Sequence, residues 1–203
     1  MRFSFLNLLF PPRQDEQRVV DADTDAFLAL VDPVLFSRTE PYAIALLPFH
    51  HPDVRAAIHE AKYHGTKRAL ELLAAAAITY IADTDERLKD AVIIPIPLGK
   101  ERLRERGFNQ CEDIGQRVSA ATGIPLETHL LSRMRETPSQ VSLKKEARRQ
   151  NMTDAFFCTG TLSDTRPYLL LDDVVTTGAT MQAAIQALRA AGAHHILPIA
   201  LAH

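Results

Sequence analysis

The chain has 203 residues, with 23 Lys and Arg against 25 Asp and Glu, a formal net charge of −2. At 46% hydrophobic and 24% charged it has the make-up of an ordinary globular protein, which excludes a disordered or a collagen-like chain. That length carries one α/β domain with a small appendage, and a core that needs no disulfide or metal staples.

In chain order, the apolar stretch 1–10 stops at Pro11 and Pro12. It falls short of the roughly 20 residues that a membrane span needs. It also lacks a small-residue cleavage site, so it reads as a short helix docked on the body. Residues 11–25 are polar and acidic and read as a linker. Residues 26–36 read as a short helix disturbed at Pro33, and 42–49 as a strand. Pro52 opens a helix that Gly65 closes, and a second helix runs over 66–82. The run AVIIPIPL at 91–98 suits a buried parallel strand. An amphipathic helix over 108–123 follows, with Ile114 and Val118 inward.

Residues 126–134 offer a short strand, 133–151 a polar, basic loop or loose helix, and 154–158 another short strand. A buried strand at 167–173, a helix at 178–192 and a final strand at 194–203 complete the chain. Strands alternating with helices predict an α/β fold, a parallel sheet flanked by helices. Residues 1–50 would form an N-terminal extension of helices and an edge strand, and 51–203 the α/β domain.

Cys111 and Cys158 are too few for a zinc site or a disulfide framework, so reduced thiols and a cytoplasmic location are expected. His50, His51, His59 and His64 follow no zinc spacing. Residues 100–149 carry 11 basic and 7 acidic side chains, a local +4 that favours an anionic partner.

The most informative stretch is YLLLDDVVTTGAT at 168–180. An apolar strand ends in two adjacent carboxylates, Asp172 and Asp173, where open α/β sheets bind ligands. The loop amides and helix N-terminus that follow make a cradle for a phosphate dianion. Gly178 frees the backbone there, and Thr176, Thr177 and Thr180 add hydroxyls. Like charges keep the carboxylates off that phosphate, but they can accept hydrogen bonds from sugar hydroxyls one ribose away. The pattern describes a ribose 5-phosphate pocket. A plain helix cap needs one such residue and not this set. The fingerprints of P-loop, dinucleotide and esterase sites are absent.

LLLDDVVTTGAT resembles the phosphoribosyl pyrophosphate (PRPP) signature of type I phosphoribosyltransferases. AKYHG at 61–65, IPIPL at 94–98, RLRERGFNQ at 102–110, RETPSQVSL at 135–143 and RRQNMTDAF at 148–156 narrow the resemblance to the ComF-like competence family. The four-cysteine zinc module with which such proteins usually begin is absent here.

The resemblance implies a type I phosphoribosyltransferase-like fold over 51–203. It implies that Asp172 and Asp173 hold the ribose hydroxyls and act in catalysis. Thr176, Thr177, Gly178, Ala179 and Thr180 would hold the 5-phosphate. Leu98, Gly99, Lys100 and Arg106 would face the pyrophosphate. Arg135, Lys144, Arg148 and Asn151 would belong to a mobile loop over the reacting centre. Mg²⁺ would enter mainly through PRPP, and a nitrogen acceptor would take the phosphoribosyl group. The alternative is a non-catalytic PRPP- or nucleotide-binding accessory of DNA uptake, with single-stranded DNA or a DNA-uptake helicase as partner.

Overall fold

The computed structural model describes residues 13–83, 88, 90–134 and 155–203. Apolar runs too short for helices pair as strands, and the amphipathic segments between them cover the two faces. Helices α1 (Gln14–Asp21) and α2 (Thr24–Leu28) precede the strands β1 (Val34–Phe36) and β2 (Ala43–Leu47). Helices α3 (Pro52–His64) and α4 (Lys67–Ala82) lead to β3 (Val92–Pro95). Then come α5 (Lys100–Arg106), α6 (Gln110–Thr122), β4 (Leu131–Arg133) and β5 (Phe156–Cys158). Strand β6 (Pro167–Val174), helix α7 (Ala179–Ala190) and strand β7 (His195–Ala202) follow.

The main sheet has the order β1-β2-β7-β6-β3. β2–β7, β7–β6 and β6–β3 are parallel, with Leu169 opposite both Leu197 and Ile93. Only the edge strand β1 runs antiparallel, Leu35 opposite Ile44. This is the expected α/β architecture, a mostly parallel sheet flanked by helices. β4 and β5 form a separate antiparallel ribbon.

The two-residue side-chain period of β6 divides the core. Leu169 and Leu171 pack with α3, α4 and α6, whereas Leu170 packs with α7 and the ribbon. α5 buries none of its side chains.

Three elements differ from the sequence reading. Within 11–25 lies helix α1 rather than a linker, because Val19 is buried and Arg13, just before it, bonds Glu60 of α3. The expected helix over 26–36 is confined to Thr24–Leu28, held by an Asp23 cap on the Ala26 N–H and by buried Phe27. Val34–Phe36 pairs instead with β2 as a strand. The segment 1–10 and Arg135, Lys144, Arg148 and Asn151, expected in a loop over the reacting centre, lie outside the described residues. Among the described residues, no helix is long and apolar enough to cross a membrane.

Candidate functional site

β6 reads PYLLLDDV because its first part crosses the middle of the sheet, while its carboxyl end emerges between the helix layers. Asp172 and Asp173 are still buried there, at 9% and 6% exposure. Both approach the start of α6, at Cys111 and Gln110 respectively. Asp173 faces the helices on the Leu171 side. Lys62 Nζ of α3 lies 3.2 Å from its Oδ1 and 3.0 Å from its Oδ2. The Gln110 side-chain amide at the start of α6 donates to the same Oδ2.

The network reaches further. Arg106 Nη1 donates to Gln110 Oε1 at 3.3 Å. Its guanidinium lies 4.8 Å from the centre of the Tyr63 ring, one residue after Lys62.

Asp172 has weaker company. Its Oδ1 accepts the Asp173 backbone N–H at 2.9 Å and faces the Cys111 thiol at 3.9 Å. Burial, and next the charge of Asp173, raise the Asp172 carboxyl from 3.8 to about 7. The Asp173 N–H and the charges of Lys62 and Arg133 oppose that rise without cancelling it. Burial, and then the two carboxylates, also push the Cys111 thiol well up, so the sulfur stays a thiol.

Beyond β6 the chain turns through Thr176 and Thr177, both exposed, to Gly178 in the left-handed conformation at φ 78°. Gly178 sits at the N-cap of α7 and has no side chain with which to cap the first turn. First-turn amides have no acceptor within their own helix, so those after Ala179 remain as donors at the helix start that follows the acidic pair. Ala179 and Thr180 are half-buried, and the Ala179 N–H points at Thr177 Oγ1, 3.4 Å away. Glycine is needed at 178 for a second reason. A Cβ there would meet the Phe36 ring at 2.7 Å and the Thr39 methyl at 3.0 Å. The close approach is thus to β1 and its following turn, which brace the loop from behind.

The turn after β3 lies alongside, because the Ile96 N–H donates to Leu171 O at 2.8 Å. Leu98 is half-buried and Gly99, the N-cap of α5, is buried. Lys100 is exposed. Asn109 ties the start of α6 to the turn after β3. Its Oδ1 caps the Cys111 N–H at 3.1 Å and its Nδ2 donates to Ile96 O at 3.2 Å.

The structure therefore brings together Asp172, Asp173, the 176–180 turn and Arg106, with Leu98 and Gly99 beside them. Sequence reasoning gave no ligand-binding role to Lys62, Gln110 or Cys111. Lys62 and Gln110 do stand in AKYHG and RLRERGFNQ, so the signal was a polar residue inside a singled-out motif.

His59, Glu60 and His64 place ligand atoms within 4.8 Å of one another. Glu60 is already engaged, by Arg13 at 3.1 and 2.9 Å and by Thr66 at 2.6 Å. His59 pairs with Asp15 at 3.1 Å. The cluster joins α1 to α3 and offers a metal no carboxylate without a cation already on it.

Competence protein F of Haemophilus influenzae is 35% identical over 106 residues, 51% of this chain and 46% of that protein. DNA utilization protein YhgH of Salmonella typhimurium is 30% identical over 149 residues, 70% of this chain and 63% of that protein. Competence protein ComFC of Bacillus subtilis is 33% identical over 100 residues, 49% of this chain and 39% of that protein. The chain spans about half the length of the curated relatives it matches. No family model matches it.

Proposed function

We propose that this chain is a ComF-like competence protein, similar to the relatives above, and that it binds PRPP, or a related ribose 5-phosphate ligand, in the service of DNA uptake. One observation carries the reading: a buried carboxyl pair ends β6 directly before a helix start whose N-cap is a glycine with no capping side chain. The 5-phosphate sits on the amides and hydroxyls of Thr176–Thr180, where the helix dipole favours negative charge. The ribose hydroxyls donate to the carboxyl pair, chiefly to Asp172, since Asp173 is largely engaged. The diphosphate extends toward Leu98–Lys100 and Arg106.

The donor set suits a magnesium ion held mainly by the ligand's own oxygens. Hard carboxylate oxygens are at hand, but Lys62 occupies both of Asp173's. When bound, such an ion neutralises charge on the departing diphosphate. If transfer occurs, the bond from C1 of the ribose to the diphosphate breaks, and one from C1 to an acceptor nitrogen forms. The diphosphate leaves with the bonding electrons, and the acceptor loses a proton. Asp172 then faces the positive charge that builds on the sugar ring.

Calorimetry with PRPP and Mg²⁺ tests the reading on wild type and on the Asp172→Asn/Asp173→Asn variant. Wild type is expected to bind. The variant should lose about 100-fold in affinity, as expected when charged hydrogen-bond acceptors are removed. A wild-type protein that shows no heat of binding overturns the proposal.

The relatives named for competence and DNA utilization support a role in DNA uptake. A second reading, direct contact with single-stranded DNA, is favoured by one observation: Arg102 and Arg104 are exposed on α5, which buries nothing. Charge reversal at both positions should then weaken oligonucleotide binding and flatten its salt dependence.

A further inference from the structure

We propose that Lys62 is an anion-binding residue of this site, and that Asp173 serves as its positioning group by presenting the ammonium to the ligand. The inference rests on the ligand reading above and deepens it. The geometry is specific. Lys62 Nζ straddles the Asp173 carboxylate at 3.0 and 3.2 Å, and the Gln110 amide holds that carboxylate from another side. Asp173 and Gln110 are 6% and 2% exposed, so neither has room to swing. The Lys62 side chain keeps 25% of its surface in solvent. An ammonium has three donors, and one carboxylate can take at most two of them, which leaves at least one for an incoming anion.

Charge supplies the second argument. Two adjacent carboxylates beside a phosphate cradle would repel the ligand that the cradle attracts. Lys62 cancels the charge of Asp173 at the place where this matters. Arg106, stacked on Tyr63 and tied through Gln110 to the same carboxylate, brings a second cation into the network. This array faces the layer opposite α7, across the tip of β6. Two cations on one side and a helix start on the other suit a sugar phosphorylated at two positions. They suit a simple monophosphate less well. A purely structural role predicts the reverse economy, because a buried ion pair gains little over well-packed apolar side chains.

The test uses the whole chain, with PRPP and Mg²⁺ as the probe in calorimetry and thermal melts run in parallel. Lys62→Met leaves the buried Asp173 carboxylate without its cation, so it should melt several degrees below wild type and bind PRPP at least ~10-fold more weakly, the equivalent of about 1.4 kcal/mol. Lys62→Arg should stay within roughly threefold of wild type, as charge-assisted contact to phosphate allows. Added ethylammonium should restore part of the binding of Lys62→Ala, a rescue that a packing role would not show. If Lys62→Met fails to fold, the Arg variant and the ethylammonium rescue decide. Wild-type affinity in Lys62→Met overturns the inference alone, as does a loss in Lys62→Arg equal to that in Lys62→Ala with no rescue. A wild type that does not bind PRPP overturns the functional proposal, and this inference with it.

Discussion

Glu60 on α3 and Asp172 on β6 are both carboxylates withdrawn from water, and the molecule holds them in opposite ways. Burial pushes the Glu60 carboxyl up, but the hydrogen bonds from Arg13 and Thr66 and the Arg13 charge outweigh it, so its net shift is downward. Both of its oxygens have strong donors. Asp172 has a backbone amide, a weakly donating thiol and a second carboxylate next to it, and it rises to about 7. The difference separates a joint from a site. Glu60 spends its hydrogen-bonding capacity on fastening α1 to α3. Asp172 is kept short of partners, which leaves it able to accept hydroxyls from outside.

The largest effect should come from breaking the joint. Arg13→Met leaves Glu60 buried without its guanidinium and should lower stability by about 3 kcal/mol at pH 7, less in so far as solvent already screens Arg13. The sign of the pH dependence should reverse as well. In wild type the folded carboxyl lies below its ordinary 4.5, so its contribution is lost as pH falls. In the variant the stranded carboxyl takes up a proton on folding. The gap between the two proteins should therefore narrow from pH 7 toward pH 4, as urea melts across that range would show.

A smaller effect should follow from disturbing the bracing behind the site. Gly178→Ala forces a side chain into a left-handed backbone and against Phe36. It should cost about 2 kcal/mol and weaken ligand binding, because the α7 amides would shift with the turn.

The smallest effect sharpens the contrast at Asp172. Between about pH 4 and 7 the folded protein holds a proton there that the unfolded chain has released. Stability should then fall with rising pH, by at most about 1.4 kcal/mol per unit from this group. Asp172→Asn keeps an acceptor for the Asp173 N–H and has nothing to titrate. It should flatten that slope and exceed wild type by about 1 kcal/mol at pH 8, while binding ligand less well. Parallel slopes for the two proteins would show that Asp172 is not the group responsible.

Much of the fold was legible because local pattern and tertiary need agree. The apolar run of β6, Pro52 and Gly65 bounding α3, and Gly123 closing α6 all announce themselves within a few residues. Helix α1 did not, since Val19 is its one buried side chain and its anchor, Glu60, lies 47 residues beyond Arg13. β1 was hidden for a related reason. Val34 and Leu35 are exposed, and the strand exists by pairing with β2.

At the site, the acidic doublet and the threonine-glycine turn stood out as a run of sequence. The inequality of Asp172 and Asp173 did not, because it is set by Lys62, Gln110 and Cys111 from two other helices. Side chains that meet only after the layers assemble leave no periodic trace in the chain.

The sheet order also has a kinetic consequence. β7, the last of the described strands in sequence, lies between β2 and β6 and bonds to both. While the protein is being synthesised, neither strand can find its main neighbour until residues 195–202 have left the ribosome. A nascent chain halted earlier presents two open strand edges, the kind of surface that invites mispairing and chaperone capture. Trimming those few residues would remove the middle of the sheet and not its margin, and would leave two halves with nothing to zip them together.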